Sequence, residues 1–179
     1  MEKYIALLRG INVGGKNKIA MPLLKQIFEE LGFKEVVTYI NSGNVVFSSD
    51  CLDRNELIKQ CEAAIASKFS LTIPVNIVSA SELAETLSHA PEWWDDDKDT
   101  IHYAIFLIPP ISVEEVFASV GDIKPDYEKI AHHERVIFWS APAKTFAKSR
   151  WSKIASSSVN QQVTIRNANT VNKLLRLSQ

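Results

Sequence analysis

Cysteine is scarce in this chain: Cys51 and Cys61 are its two, far too few for a disulfide framework. A small secreted domain stapled by disulfides is thereby excluded, and two reduced thiols in a cytoplasmic protein are expected. Long apolar runs are missing as well. Nothing approaches the roughly 20 residues of a membrane helix, and the opening MEKYIALLRG enters a strand without the pattern of a secretion signal. No membrane partner is expected. Histidine and cysteine never fall at ligand spacing, the adjacent His132 and His133 point to opposite faces if extended, and the run Asp95–Asp97 lacks the regular ligands of a calcium loop. The expectation is therefore no metal and no cofactor. Acid is absent from the last part of the chain. Residues 135–179 carry 8 Lys and Arg and no Asp or Glu, whereas residues 82–134 carry 3 and 13, within an overall net charge of −1. Such an asymmetry suits a surface facing a polyanion, or a basic face docked on an acidic segment.

At 179 residues and 46% hydrophobic, the chain buries a core as one domain or as two joined halves. The patterning predicts a strand over 4–8, a helix over 22–31 opened by Pro22 and closed by Gly32, and strands over 35–40 and 44–48 joined at Asn41-Ser42-Gly43. A helix over 53–69 and a strand over 75–78 complete the order β-α-β-β-α-β. A short helix over 82–88 leads into the acidic stretch 90–99. The order then recurs: strand 102–108, helix 113–120, strands 127–131 and 135–140 around a turn at His132-His133-Glu134, helix 145–155 and strand 163–166. A last helix spans 169–177. The reading is an α+β protein of two ferredoxin-like (split β-α-β-β-α-β) halves with an extra C-terminal helix. Residues 1–80 form the first half with its glycine-rich turn, 81–100 a helix and acidic linker, and 101–179 the second half with a basic surface.

Glycine is uncommon too, yet three of the six gather in Gly10-Ile11-Asn12-Val13-Gly14-Gly15-Lys16-Asn17-Lys18, with Arg9 at the entrance. Glycines let backbone N–H groups approach a ligand, and lysines favour phosphate or carboxylate. The stretch from Gly10 stands one residue from the P-loop pattern. However, Asn17 lacks the hydroxyl that ligates magnesium, and the helix begins only near Pro22. An anion nest is expected there, set against a plain structural loop. Asn41 and Asn44 flank the second turn and are placed to reach a ligand along the sheet, although that turn is expected at the opposite strand end from the glycine loop. In the basic third, Lys144, Lys148, Ser149, Arg150 and Lys153 share helical faces if residues 145–155 are a helix. Phe146, Trp139 and Trp151 lie among them, an interleaving that suits single-stranded nucleic acid or nucleotides, or else a solvated face over buried rings. Arg166, leaving a strand, and Asn167, Asn169 and Thr170 at a helix start form a fourth cluster, with Asn169 or Thr170 as the expected cap.

The stretch from Ala6 to Asn17 and Thr38-Tyr39-Ile40-Asn41-Ser42-Gly43-Asn44-Val45-Val46-Phe47 resemble the bacterial family called domain of unknown function 1697 (DUF1697). Residues 103–107 and 164–174 resemble it as well. The resemblance implies a compact bacterial-type protein of about this length, and it brings no substrate, cofactor or catalytic set. It covers Arg9, Asn12, Gly14, Gly15, Lys16 and Asn17, then Asn41 to Asn44, then Arg166, Asn167, Asn169 and Thr170. Where this chain has Ala168, the family pattern more often has tryptophan.

The expected function is anion binding through a basic, glycine-rich groove, with nucleic acid or a nucleotide as ligand. Two alternatives stand beside it. One is an enzyme acting on a small phosphorylated or carboxylated metabolite, with no catalytic residue identified. The other is a protein-interaction module, monomeric or a weak homodimer.

Overall fold

The unbroken apolar run from Tyr4 to Leu8 makes Glu2–Leu8 (β1) a strand buried on both faces, and it lies inside its sheet. The computed structural model describes residues 1–179. It resolves two units, residues 1–84 with 174–179, and residues 85–173. In the first, β1 is followed by a helix at Met21–Glu30 (α1) and strands Lys34–Tyr39 (β2) and Asn44–Ser49 (β3). The helix Arg54–Phe69 (α2) and strand Val75–Ser79 (β4) follow. The sheet order is β2-β3-β1-β4, antiparallel throughout, with Leu7 opposite Asn44 and Leu8 opposite Val75.

Tyr4, Ala6 and Leu8 face a core shared with Leu24, Ile27 and Phe28 of α1 and Leu57, Cys61 and Ile65 of α2. Phe33 stacks on Phe47 with ring centroids 4.4 Å apart, and Phe28 meets Phe47 edge-on at 5.6 Å. The helix ends are written locally. Asp53 caps α2 by accepting from the Asn55 and Glu56 N–H groups. Helix α1 has Pro22 in its first turn but no side-chain cap, since Ala20 occupies the cap position.

The second unit holds the end of a helix at Ala80–Ser88 (α3), strand Thr100–Leu107 (β5), helix Val113–Val120 (α4), and strands Lys129–His133 (β6) and Val136–Pro142 (β7). Strand Val163–Asn167 (β8) and helix Ala168–Leu177 (α5) finish the chain. The order β6-β7-β5-β8 repeats that of the first sheet. Ser112 and Glu115 form a capping box that starts α4 over the predicted residues. His132 and His133 belong to β6, so the turn expected there moves on to Glu134-Arg135. Trp94 is buried, meets Phe138 edge-on at 5.1 Å and donates Nε1–H to the Tyr103 carbonyl.

The helix expected over 145–155 is not an α-helix. Three 3-10 turns replace it, at Ala143–Lys148, Trp151–Ser156 and Asn160–Gln162. Serine is the cause. Ser149, Ser152, Ser156 and Ser157 each donate to the carbonyl three residues back, at 2.6–2.9 Å, competing with the i−4 ladder. Ser149 itself is extended and splits the segment in two. The shared helical faces expected for Lys144, Lys148, Ser149 and Lys153 therefore do not exist.

Candidate functional site

Asn12 organises the glycine loop. Its amide donates to the carbonyls of Ile19 (2.9 Å) and Asn41 (2.8 Å), and its Oδ1 accepts the Ile19 N–H (2.8 Å). Asn17 donates from its side chain to the Gly10 carbonyl, while its own carbonyl accepts the Asn12 N–H. Between them Val13 and Lys16 pair, with Gly14 (φ 58°) and Gly15 (φ 74°) both left-handed, the backbone of a two-residue primed turn. The loop is a small closed hairpin, and α1 begins beyond it. Asn12 (φ 54°) and Asn17 (φ 50°) are also left-handed, which asparagine tolerates better than most residues.

The second turn does not lie at the opposite strand end. Strand β3 runs antiparallel to β1, so the start of β3 meets the end of β1 and both loops share one end of the sheet. The Leu8 N–H donates to the Gly43 carbonyl at 2.8 Å, and the Asn12–Asn41 bond ties the two loops together. Between them and the start of α1 lies a cleft of about 650 Å³. Asn12, Gly15, Lys18 and Asn41 line its polar part, and Met21, Leu23 and Phe69 supply much of its apolar wall. No acidic residue stands in the first turn of α1. Ile40, beside Asn41, is left-handed at φ 48°, a strained conformation for a β-branched side chain.

The other predicted residues are distributed differently. Gly14, Lys16 and Asn17 are exposed on the loop, and the half-buried Arg9 uses its N–H on the Pro74 carbonyl. Asn44 is fully buried and donates to the Tyr39 carbonyl and Ser42 Oγ, so it builds the turn instead of facing a ligand. Ser149 is also fully buried, bonded to Phe146. Arg166 lies inside the second unit, donating to Thr164 Oγ1 (2.8 Å) and the Ile165 carbonyl (3.0 Å). Burial pushes its pKa down to about 10. The Asn167 side chain, instead of Asn169 or Thr170, caps the last helix by accepting the Thr170 N–H, while Asn169 is exposed. Lys148, Arg150 and Lys153 are exposed, with Lys148 Nζ 5.7 Å from the Tyr127 ring centre. Trp139 and Trp151 are buried core residues and offer no stacking surface.

Glu128 escaped the sequence reading. This buried carboxylate accepts four N–H groups, Lys124 and Arg150 backbone on Oε1 and Trp139 Nε1 and Trp151 backbone on Oε2, at 2.8–3.1 Å. It thereby pins the basic segment to β7. A lone glutamate beside a tyrosine gives no pattern by which this could be found. Two mixed clusters also come together only in three dimensions, Glu85 with His89 and His133, and Asp96 and Asp97 with His102. Cys61 is buried in the first core, where burial pushes its thiol up to about 12 and keeps it unreactive.

The sequence profile described as "Protein of unknown function (DUF1697)" matches residues 1–138. This chain belongs to the DUF1697 family. That match takes in the glycine loop, the Asn41 turn and the cleft between them. The chain is also similar to a structure described as conserved bacterial protein SP0830 from Streptococcus pneumoniae. The two share 29% identity and a TM-score of 0.88 over 99% of each chain. Comparison with curated proteins gives no significant match. Within this family member, none of its helices is long and apolar enough to cross a membrane.

Proposed function

We propose that this protein binds a phosphate-bearing ligand, a nucleotide or the end of a nucleic acid strand, in the cleft beside the glycine loop. One observation carries the reading: Asn12, Gly15, Lys18 and Asn41 line one cleft at the start of α1, where no side chain caps the helix and no acid opposes an anion. The positive end of the helix dipole and a nearby lysine favour negative charge. Met21, Leu23 and Phe69 give the same cleft an apolar wall against which a base or other flat group would lie. The strain at Ile40 fits a turn held in position for a ligand instead of for its own comfort. An enzyme acting on a small phosphorylated metabolite would use the same cleft, and turnover distinguishes it from a binder. We also read both units as ferredoxin-like, on their shared strand order, with the split β-α-β-β-α-β path complete in the first unit and 3-10 turns standing for the second helix in the other. The two free cysteines are in keeping with a cytoplasmic setting.

Calorimetric titration of the full chain with ATP, GTP and short oligonucleotides at low salt tests the binding reading. Saturable binding is expected, with Lys18→Ala weakening it by about tenfold, or ~1.4 kcal/mol. Affinity should also fall as salt rises, in proportion to the phosphates contacted. Failure of every phosphate compound to bind, or unaltered binding by the Lys18→Ala variant, overturns the reading.

A further inference from the structure

Glu85 lies in the last turn of α3 and His89, four residues on, just after its end, while His133 is the last residue of β6. The rings of His89 and His133 lie face to face, with centroids 4.0 Å apart and planes inclined by 8°. His89 Nδ1 is 3.6 Å from Glu85 Oε1. One donor atom from each of the three residues lies within 4.8 Å of the other two. We propose that Glu85, His89 and His133 form a binding site for a divalent transition-metal ion of the zinc type, in the second unit and separate in chemistry from the glycine-loop cleft.

The donor set argues for this class of ion. Two imidazoles and one carboxylate suit zinc, nickel or copper, whereas calcium and magnesium call for oxygen donors alone. The local hydrogen bonding also orients one ligand. His89 Nδ1 lies 3.0 Å from the Glu85 carbonyl and 3.1 Å from Ser88 Oγ, so that nitrogen is engaged by the helix end and Nε2 is the one left for an ion, with Glu85 turning its carboxylate toward it. A ring nitrogen tied to a backbone carbonyl while the other faces the ion is the usual arrangement of metal-binding histidine. Face-to-face rings do not aim both lone pairs at one point, so binding turns one imidazole about χ2. Glu85 and His89 are exposed and His133 is partly so, which leaves room for that turn and a side open to water. Metal–ligand bonds of roughly 2.0–2.2 Å would then draw the three donors together.

The second mixed cluster provides a contrast. His102 is buried, with Nδ1 2.7 Å from Ser140 Oγ and Nε2 3.1 Å from the Asp97 carbonyl. Both of its ring nitrogens are engaged within the protein, so Asp96, Asp97 and His102 hold a loop together and leave no imidazole lone pair for an ion.

Zinc chloride titrated into the full chain, followed by calorimetry and by NMR of the histidine rings, tests the proposal. One saturable site is expected, with the His89 and His133 ring signals shifting while those of His102 stay in place. His89→Ala and His133→Ala should each weaken binding by about tenfold or more, and Asp96→Asn should leave it unchanged. Circular dichroism checks that each variant is folded, and His133→Gln replaces His133→Ala should the latter fail. The wild-type ring shifts decide the matter independently of any variant. No saturation by millimolar zinc, shifts confined to His102, or full binding by a folded variant of either histidine overturns the proposal.

Discussion

Glu128 illustrates how much one side chain decides. Its two oxygens each accept two N–H groups, so a carboxamide in the same place would turn a donor toward one pair. Glu128→Gln is expected to destabilise the protein by about 3 kcal/mol, since two buried N–H groups lose their acceptor. Urea unfolding followed by tryptophan fluorescence measures it, and a loss below ~1 kcal/mol would show that the network tolerates the exchange. Asn12 plays a comparable part in the first unit, where one amide side chain makes three bonds that close the loop. Neither role can be read from spacing. An asparagine between glycines and a glutamate beside a tyrosine are ordinary in a loop or at a strand start. Their importance comes from partners such as Asn41 or Trp151, distant along the chain.

At the level of elements, the legible signals were those whose cause is local. The helices expected over 53–69 and 113–120 lie where the pattern predicts them, because their ends are set within a few positions, by the Asp53 cap and by the capping box at Ser112 that the structure shows. The helix expected over 145–155 gives way to 3-10 turns for a reason also present in its composition. Its serines offer side-chain hydroxyls to nearby carbonyls, and Glu128 captures the Arg150 and Trp151 N–H groups that an α-helix would turn inward. The meeting of the glycine loop with the Asn41 turn depends on the antiparallel pairing of β1 with β3, which no short window displays. Gly43 marks that meeting. A Cβ there would lie 2.8 Å from Leu8 Cβ and from Ile11 Cδ1, and its φ of 88° strains any side chain. Gly43→Ala should therefore cost on the order of 2 kcal/mol or more, measured as a lower urea midpoint. A variant as stable as the wild type would mean that the two loops are free to separate.

For the whole molecule, charge and pH provide the tests. The acidic residues 82–134 and the acid-free residues 135–179 nearly cancel in a chain of net charge −1, so the total charge hides its distribution. Acid should weaken the fold partly through Glu82. Burial raises its pKa, but the Arg54 guanidinium and the Ser79 N–H together outweigh that and hold the carboxyl below its ordinary value of 4.5. A depressed folded pKa contributes stability that is fully present above the unfolded value and is lost as pH falls through the folded one. Because both partners are about half exposed, the contribution is small. Glu82→Gln should accordingly be less stable than wild type at neutral pH, with the gap closing below the ordinary carboxylate range, as urea midpoints across pH would record. A gap independent of pH would assign the loss to packing.

The order of the strands, every helix but the one expected over 145–155, the buried stripes and the family follow from the amino-acid sequence by itself. Each rests on periodicity, capping or a motif written within a few neighbouring residues. Tertiary structure alone decided that Asn12, Lys18 and Asn41 share a cleft, that Arg166, Ser149 and Asn44 are interior, and that His89 faces His133. Those outcomes depend on strand register and on which way each pleat turns its side chains. Register is set by the packing of whole sheets, and it joins residues that stand far apart in the chain.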